Sequence, residues 1–429
     1  MARDDNHSAS EFSRRSFLKA SAAGAALTAL PGCRPPAEEA PDPLPPLTAP
    51  EGDDDASWSH VRDRFILEPG VAYMNNSSLG MPPGEVVRAV SDGYESISRE
   101  PLHGKHDLQE LIAERVVPGL ADYFGVEASE IALTRNATEG LHLQAVGVAL
   151  DAGDEVLITT QEHPAGLKPW MFRQERHGVR VTEVFIPSPF ESGAEVVERM
   201  EAAITPRTKA IAFCHATRGG HLYPVRALAE MAHRRGLLCL VDGAQAVGQK
   251  PIDLRELGCD AYSASVHKWM LGPVGTGFMY VREEARDRIR TSFEAGATVQ
   301  APGLAPGGTA DFPLRAAVAT ALDFTNTLGL ERIERRCRYL SDYLKAGLAE
   351  MEGVTVLSGT NEVSSPGGTI FEKAGLDALA AVPIMEERIR THIDEHQRDG
   401  HNAIRISTHV YNTTGEIDRL LDAVETAEG

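Results

Sequence analysis

Short apolar runs recur through the middle of the chain, at residues 131–134, 155–159, 181–185, 210–214, 237–241, 261–264 and 277–281. Each has the length of a strand, and the segments between most of them carry apolar residues at helical spacing. Such alternation predicts an α/β fold: a mainly parallel sheet covered by helices on both faces. Ligands in these folds bind outside the carboxyl ends of the strands. Residues just beyond each run are therefore the first places to look for chemistry.

The flanks read differently. Pro82 and Pro83 open a helical stretch reaching about Ser98. Residues 314–351 form a long amphipathic pattern interrupted at Leu328-Gly-Leu330. Residues 402–418 predict a strand, a loop and a helix, with Thr413 and Glu416 at capping-box spacing. The division expected is an N-terminal arm at 58–85, a large domain at 86–305 and a small domain at 306–429.

Ahead of these, residues 1–33 stand outside the fold. Ser13-Arg-Arg-Ser-Phe-Leu-Lys19 precedes a modest apolar run, residues 20–30, too short to span a bilayer. The layout resembles a twin-arginine export signal, a route for folded cargo, and implies the periplasm or cell envelope. Leu30-Pro-Gly-Cys33 leaves open a lipid tether at Cys33, although Pro31 stands where a lipoprotein site prefers a small residue. Residues 34–57, rich in Pro, Glu and Asp, read as an extended linker.

The formal charge of −20 over 429 residues argues against a nucleic-acid partner held by a basic surface. Apart from Cys33 there are four cysteines, three of them in or beside apolar runs. Buried free thiols are expected, with no metal-ligand spacing and no disulfide framework.

One loop concentrates the chemistry. Between the runs at 261–264 and 277–281 stands Lys268, with Ser265 and His267 before it and Gly272, Pro273, Gly275 and Gly277 after it. Glycine and proline at that density shape backbone for close approach to a ligand. A lysine desolvated there loses its proton readily and becomes an imine former. Alone, a lysine reads as a solvated surface charge. Asp242 ends the run Leu238-Cys-Leu-Val-Asp242, a costly position for a carboxylate without a partner. Thr134-Arg-Asn-Ala-Thr-Glu-Gly140 leads from a strand into a helix, so the N–H groups of Ala137 and Thr138 and the Thr138 hydroxyl suit a phosphate. An ordinary N-cap at Asn136 explains the same residues. Asn75, Asn76 and Ser77 read equally as a polar tip or as turn formers.

Ser265-x-His-Lys268 followed by Gly-Pro-x-Gly-x-Gly277, with Asp242 upstream at a strand end, resembles the lysine loop and the pyridine-nitrogen aspartate of the class V aminotransferase family. The resemblance extends from about Tyr73 to the C-terminus. It implies the pyridoxal 5′-phosphate (PLP)-dependent transferase fold type I, with a mainly parallel seven-stranded sheet, helices on both faces and a smaller α+β C-terminal domain. It implies PLP as cofactor and Lys268, Asp242 and His163 as the catalytic set, His163 lying on the pyridine face. Ala137, Thr138, Ser265 and His267 then belong to the phosphate, and Gln245 to the phenolic oxygen or the imine region. Thr309, in Pro306-Gly-Gly-Thr-Ala-Asp311, is implied to reach the phosphate of the other subunit of a homodimer. Arg405 matches the family's carboxylate-binding arginine, with a structural salt bridge as the other reading, and Asn76 is implied to approach the substrate. Thr217 and Arg218 lie where the chain departs from the family pattern and receive no role. No metal is called for.

The activity implied is chemistry at the α-carbon of an amino acid or peptide-like amine, through an external aldimine. Leu330-Glu-Arg-Ile-Glu334 and the region of Arg405 resemble the isopenicillin N epimerase-like branch most. A class V transaminase or a C–S or sulfoxide lyase is the alternative, and a cofactor-free exported binding protein on the same fold is another. Persulfide transfer is disfavoured: no cysteine follows Cys337, which sits among Arg335, Arg336 and Arg338.

Overall fold

The computed structural model describes residues 44–291, 308–359 and 363–427, and from Pro46 onwards the chain forms one unit. It enters through the helix Asp55–Arg62, whose N-cap Asp54 accepts from Ser57 N. Trp58 Nε1 donates to Gly52 O (2.9 Å), and Trp58, Val61 and Leu47 pack in one cluster with Phe324, Leu328 and Ile333. Packed chain therefore begins before Trp58, inside the stretch that composition assigns to the linker. A few apolar anchors outweigh the acidic, proline-rich background there.

The arm contributes β1 (Ala72–Tyr73). The large sheet follows: β2 (Ile131–Thr134), β3 (Glu155–Thr159), β4 (Arg180–Val184), β5 (Thr208–Cys214), β6 (Leu238–Asp242), β7 (Ala261–Ser265) and β8 (Gly277–Val281). Their order is β2-β8-β7-β6-β5-β3-β4, and only β8 runs against its neighbours. All seven strands fall within two residues of the apolar runs. The two faces alternate residue by residue: Ile211, Phe213, Cys239 and Val241 join one core, while Ala210, Ala212, Leu238 and Leu240 join the other. Both cores are roofed by helices, which is why the central strands are apolar on both faces, while the edge strand β4 carries exposed Arg180 and Glu183.

The small sheet holds β9 (Val354–Val356) and β10 (Gly368–Lys373); β11 (Thr391–His392) pairs with β1, and β12 (Asp394–His396) and β13 (Ala403–Ser407) complete the sheet. Its order is β12-β13-β10-β9, antiparallel throughout. The helices Leu330–Ala349 and Thr414–Thr426 bury Leu340, Leu344, Ile417 and Leu420 in its core, and the second carries the expected capping box at Thr413.

The domain boundary differs from the one expected at 306. Phe312, Ala316, Val318, Ala319 and Leu322, on the helices Phe312–Ala316 and Val318–Leu328, pack on the large-sheet core. The packing of the small domain begins after Gly329, where φ is 81° and the long helical pattern breaks. Periodicity identified these helices but not the surface they cover. Phe293-Glu-Ala-Gly296 lies outside the described residues, as do Arg14, Arg15 and Cys33.

Candidate active site

Residues following β2, β3, β5, β6 and β7 converge on a cavity of about 280 Å³, at the carboxyl ends of the parallel strands. The arm and the small domain close it, through Ser77, Ser78, Asp394 and Arg405. Lys268 lines the cavity, as do Asp242, His163, Ser265 and His267.

The Lys268 loop is braced from several sides. Gly80 N donates to His267 O (2.9 Å), and a Cβ on Gly80 would lie 1.9 Å from Lys268 O, so only glycine lets the arm pass this close. Trp269 Nε1 donates to Gln245 Oε1 (2.9 Å), and Gln245 Nε2 donates to Ser77 O (2.8 Å). His409 accepts from Val410 N at Nδ1 (2.8 Å), which leaves Nε2–H to donate to Trp269 O (3.1 Å). Its ring stands between those of Trp269 and Tyr411. Leu271, fully buried, takes φ 56°, a left-handed conformation that costs a leucine free energy and marks a loop held by its surroundings. Burial lowers the Lys268 pKa to about 8; the pull of Asp242 opposes this, and the charges of Arg405 and Arg218 add to it.

Asp242 is 7% exposed and pushed upward chiefly by burial, while a bond from Ala244 N (2.9 Å) and the charge of Lys268 act the other way. His163 caps the helix Pro164–His177, accepting at Nδ1 from Ala165 N (3.1 Å), so its neutral tautomer carries the proton at Nε2. Desolvation and the charges of Lys268 and Arg398 lower its pKa to about 4, and the ring is neutral at pH 7.

At the other end of the cavity the helix Ala137–Gly147 starts, with Asn136 as its N-cap. The Ala137 N–H, expected to point at a phosphate, donates instead to Ser265 Oγ (2.9 Å). That leaves the Ser265 hydroxyl proton and the exposed Thr138 as donors. His267 Nδ1–H donates to Thr276 O (2.9 Å), so its Nε2 meets a phosphate as a donor only when the ring is protonated. A Cβ on Gly277 would lie 2.7 Å from Asn136 Cα, so glycine lets β8 come up against this helix start.

Arg405 is 5% exposed and reaches the cavity beside Arg218. Its Nη2 contacts Asp394 Oδ2 and Asn75 Oδ1 (3.3 Å), and its Nε is buried without a partner. Arg218 shares Asp394 (3.2 Å) and donates to Glu395 O (2.6 Å). One carboxylate of the chain thus bridges two guanidiniums in the cavity wall.

Two expected site residues stand away from the cavity, and a third lines it with its amide committed to other partners. Asn76 is fully buried and accepts from Tyr411 OH (2.8 Å); Ser77 and Ser78 face the cavity instead. Gln245 lines the cavity but spends both amide ends bracing the arm and Trp269. Thr309 is exposed and away from the cavity of its own chain. Sequence reasoning missed Glu162, Asp394 and the place of Arg218. Glu162 sits one residue before His163, itself an expected site residue, whereas nothing local marks Asp394. The four cysteines from Cys214 to Cys337 are free and buried, and no cluster of metal-ligating side chains occurs among the described residues.

The residues present suit PLP: an amine of lowered pKa, a buried carboxylate whose charge acts on it, a neutral imidazole at His163 and a helix start with spare donors. Comparison with known proteins agrees. Residues 72–420 match the aminotransferase class-V family, and residues 11–31 match the twin-arginine translocation pathway signal sequence. The chain is 30% identical over 394 residues to isopenicillin N epimerase of Amycolatopsis lactamdurans, covering 86% of this chain and 98% of that protein. It is 28% identical over 400 residues to a probable cysteine desulfurase of Halalkalibacterium halodurans, covering 85% and 95%. Among solved structures, a lysine-to-alanine mutant of C-DES with glycine covalently linked to its PLP cofactor superposes with a TM-score of 0.78, at 23% identity, over 85% of this chain and 99% of that one.

Proposed function

Because the chain belongs to the class V aminotransferase family, we propose that it is a PLP-dependent enzyme acting at the α-carbon of an amino acid or peptide-like amine, isopenicillin N epimerase-like in its chemistry. The observation that carries this reading is Lys268: an amine of lowered pKa facing Asp242 and, beside it, an arginine with an unused buried donor. Bound PLP supplies an electron sink that acidifies the α-hydrogen.

The chain's own groups supply the rest. Asp242, buried at a strand end, holds positive charge on the ring nitrogen. Arg405 receives the substrate carboxylate, its free Nε adding a second, parallel bond. Lys268, neutral above about pH 8, takes the α-proton, and inversion requires a second proton donor at the other face. Ser265 and Thr138 hold the phosphate, joined by His267 when its ring is protonated, and Thr309 reaches that of the partner subunit in a homodimer.

Persulfide relay does not fit this site. Cys214 lines the cavity, yet burial and the neighbouring Glu162 and Asp242 push its thiol far up, so it is no ready thiolate. The twin-arginine match supports export in the folded state, with a periplasmic or envelope destination and a lipid tether at Cys33 as the finer proposal.

The test is incubation of the purified protein with amino acids and short peptide amines in D2O. Epimerase chemistry gives α-deuterium and loss of optical purity with no new keto product. An oxo acid would reassign it as a transaminase, and release of sulfide, sulfite or persulfide as a lyase. The absence of any visible band with PLP would leave only a binding protein.

A further inference from the structure

Glu162 is a buried carboxyl that the mechanism above does not use. Its Oε1 accepts from Thr159 Oγ1 (2.5 Å) and from Cys214 N (3.2 Å), which fixes the side chain. Its Oε2 shares the space beside Gly166 with Asp242: a Cβ built on Gly166 would lie 3.4 Å from Glu162 Oε2 and 3.9 Å from Asp242 Oδ2, so both oxygens face one glycine. Two buried carboxyls facing one small space each disfavour the other's anion.

We propose that Glu162 is a positioning residue that keeps the pair's proton, leaving Asp242 as the charged partner of the cofactor's ring nitrogen; this rests on the PLP reading above. The surroundings of the two groups differ in the required sense. Asp242 faces the cavity and Lys268, whose charge favours its anion. Around Glu162 stand Thr159 on β3, the Cys214 thiol and Tyr223 beyond β5, Asp242 on β6, and Arg398 from the β12–β13 connection. Only Arg398 is cationic, and its Nη2 is given to the Glu162 carbonyl (2.8 Å) rather than to the carboxyl. Burial is the leading effect and raises Glu162 to about 8; Thr159 opposes it and Asp242 adds to it.

The infrared carbonyl stretch of a protonated carboxyl reads this directly on the purified protein. The wild type is expected to show such a band at pH 6.5, losing it with a midpoint near 8. Glu162→Gln should lack it, and Asp242→Asn should retain it with the midpoint lowered, since the repelling charge is gone. A band that survives in Glu162→Gln, or no band in the wild type, overturns the assignment. Should Glu162→Gln fail to fold, the direction of the midpoint shift in Asp242→Asn decides. On cofactor binding, Glu162→Gln keeps a neutral donor beside Asp242, so PLP dissociation should change less than about threefold. Asp242→Asn should weaken binding by at least tenfold, the worth of one charge-assisted hydrogen bond. Equal losses in both variants would also refute the division of roles. Failure of the cofactor reading would look different: a normal carboxyl titration in a protein that takes up no PLP.

Discussion

Asp394 occupies the Arg405 guanidinium from within the chain, on the cavity side, with Arg218 as its second partner. A substrate carboxylate has to share or displace that contact. Arg405→Ala should abolish most carboxylate affinity, since a buried, hydrogen-bonded charge pair loses a few kcal/mol when one partner is truncated.

Asp394→Asn should act the other way. It removes the competing charge and leaves the side-chain shape, so small amino-acid carboxylates should bind about tenfold tighter, equivalent to ~1.4 kcal/mol. Calorimetric or spectral titration of the parent and variant checks this. Weaker binding in Asp394→Asn would mean that the aspartate aims Arg405 at the substrate instead of competing for it.

Lys268 makes a prediction in pH. Its folded pKa, about 8, lies below its ordinary value of 10.5, so between these limits the unfolded chain binds more protons than the folded one. Stability contributed at this position therefore rises with pH across that window, and the full penalty is present below pH 8. Lys268→Met should stabilise the cofactor-free protein at pH 7 by an amount on the order of 2–3 kcal/mol, a difference that closes by about pH 10.5. Urea unfolding at several pH values measures it. In the same titration, capture of PLP by the wild type should quicken as pH rises through 8, and borohydride should place the label on Lys268. A label on another lysine would remove the assignment.

The strands were legible because each carries a short, mainly apolar run, and the lysine loop because glycine and proline surround a single lysine. Gln245 shows where that reading stops. Its expected place is at the phenolic oxygen or the imine region; it lines the cavity, but its partners, Ser77 on the arm and Trp269 in the lysine loop, come together only through the fold. The same holds for Asp394, which meets Arg405 across the antiparallel pair β12–β13, and for Asn76, whose partner Tyr411 is 335 residues away. Local chemistry singled out Lys268, Asp242 and His163, which the fold brings to one cavity. It had no access to residues whose role is set by a long-range neighbour, and it misjudged the start of the small domain for the same reason.

Export is separable from everything at the cavity. Residues 11–31 match a twin-arginine signal and lie upstream of every residue that lines the cavity, so changes at Arg14 and Arg15 leave those residues as they are. Replacing both with lysine should hold PLP-loaded protein in the cytoplasm at unaltered specific activity, because the route carries folded cargo and reads the arginine pair. Fractionation with an activity assay on each fraction measures this. Cys33→Ser, made in the exported parent, then separates two fates of the mature chain. If the protein leaves the membrane fraction, Cys33 is acylated; if an already soluble envelope fraction is unchanged, the signal is simply cleaved. Should the double-lysine variant reach the envelope as efficiently as the parent, the arginine pair is not the address and the folded-cargo argument falls with it.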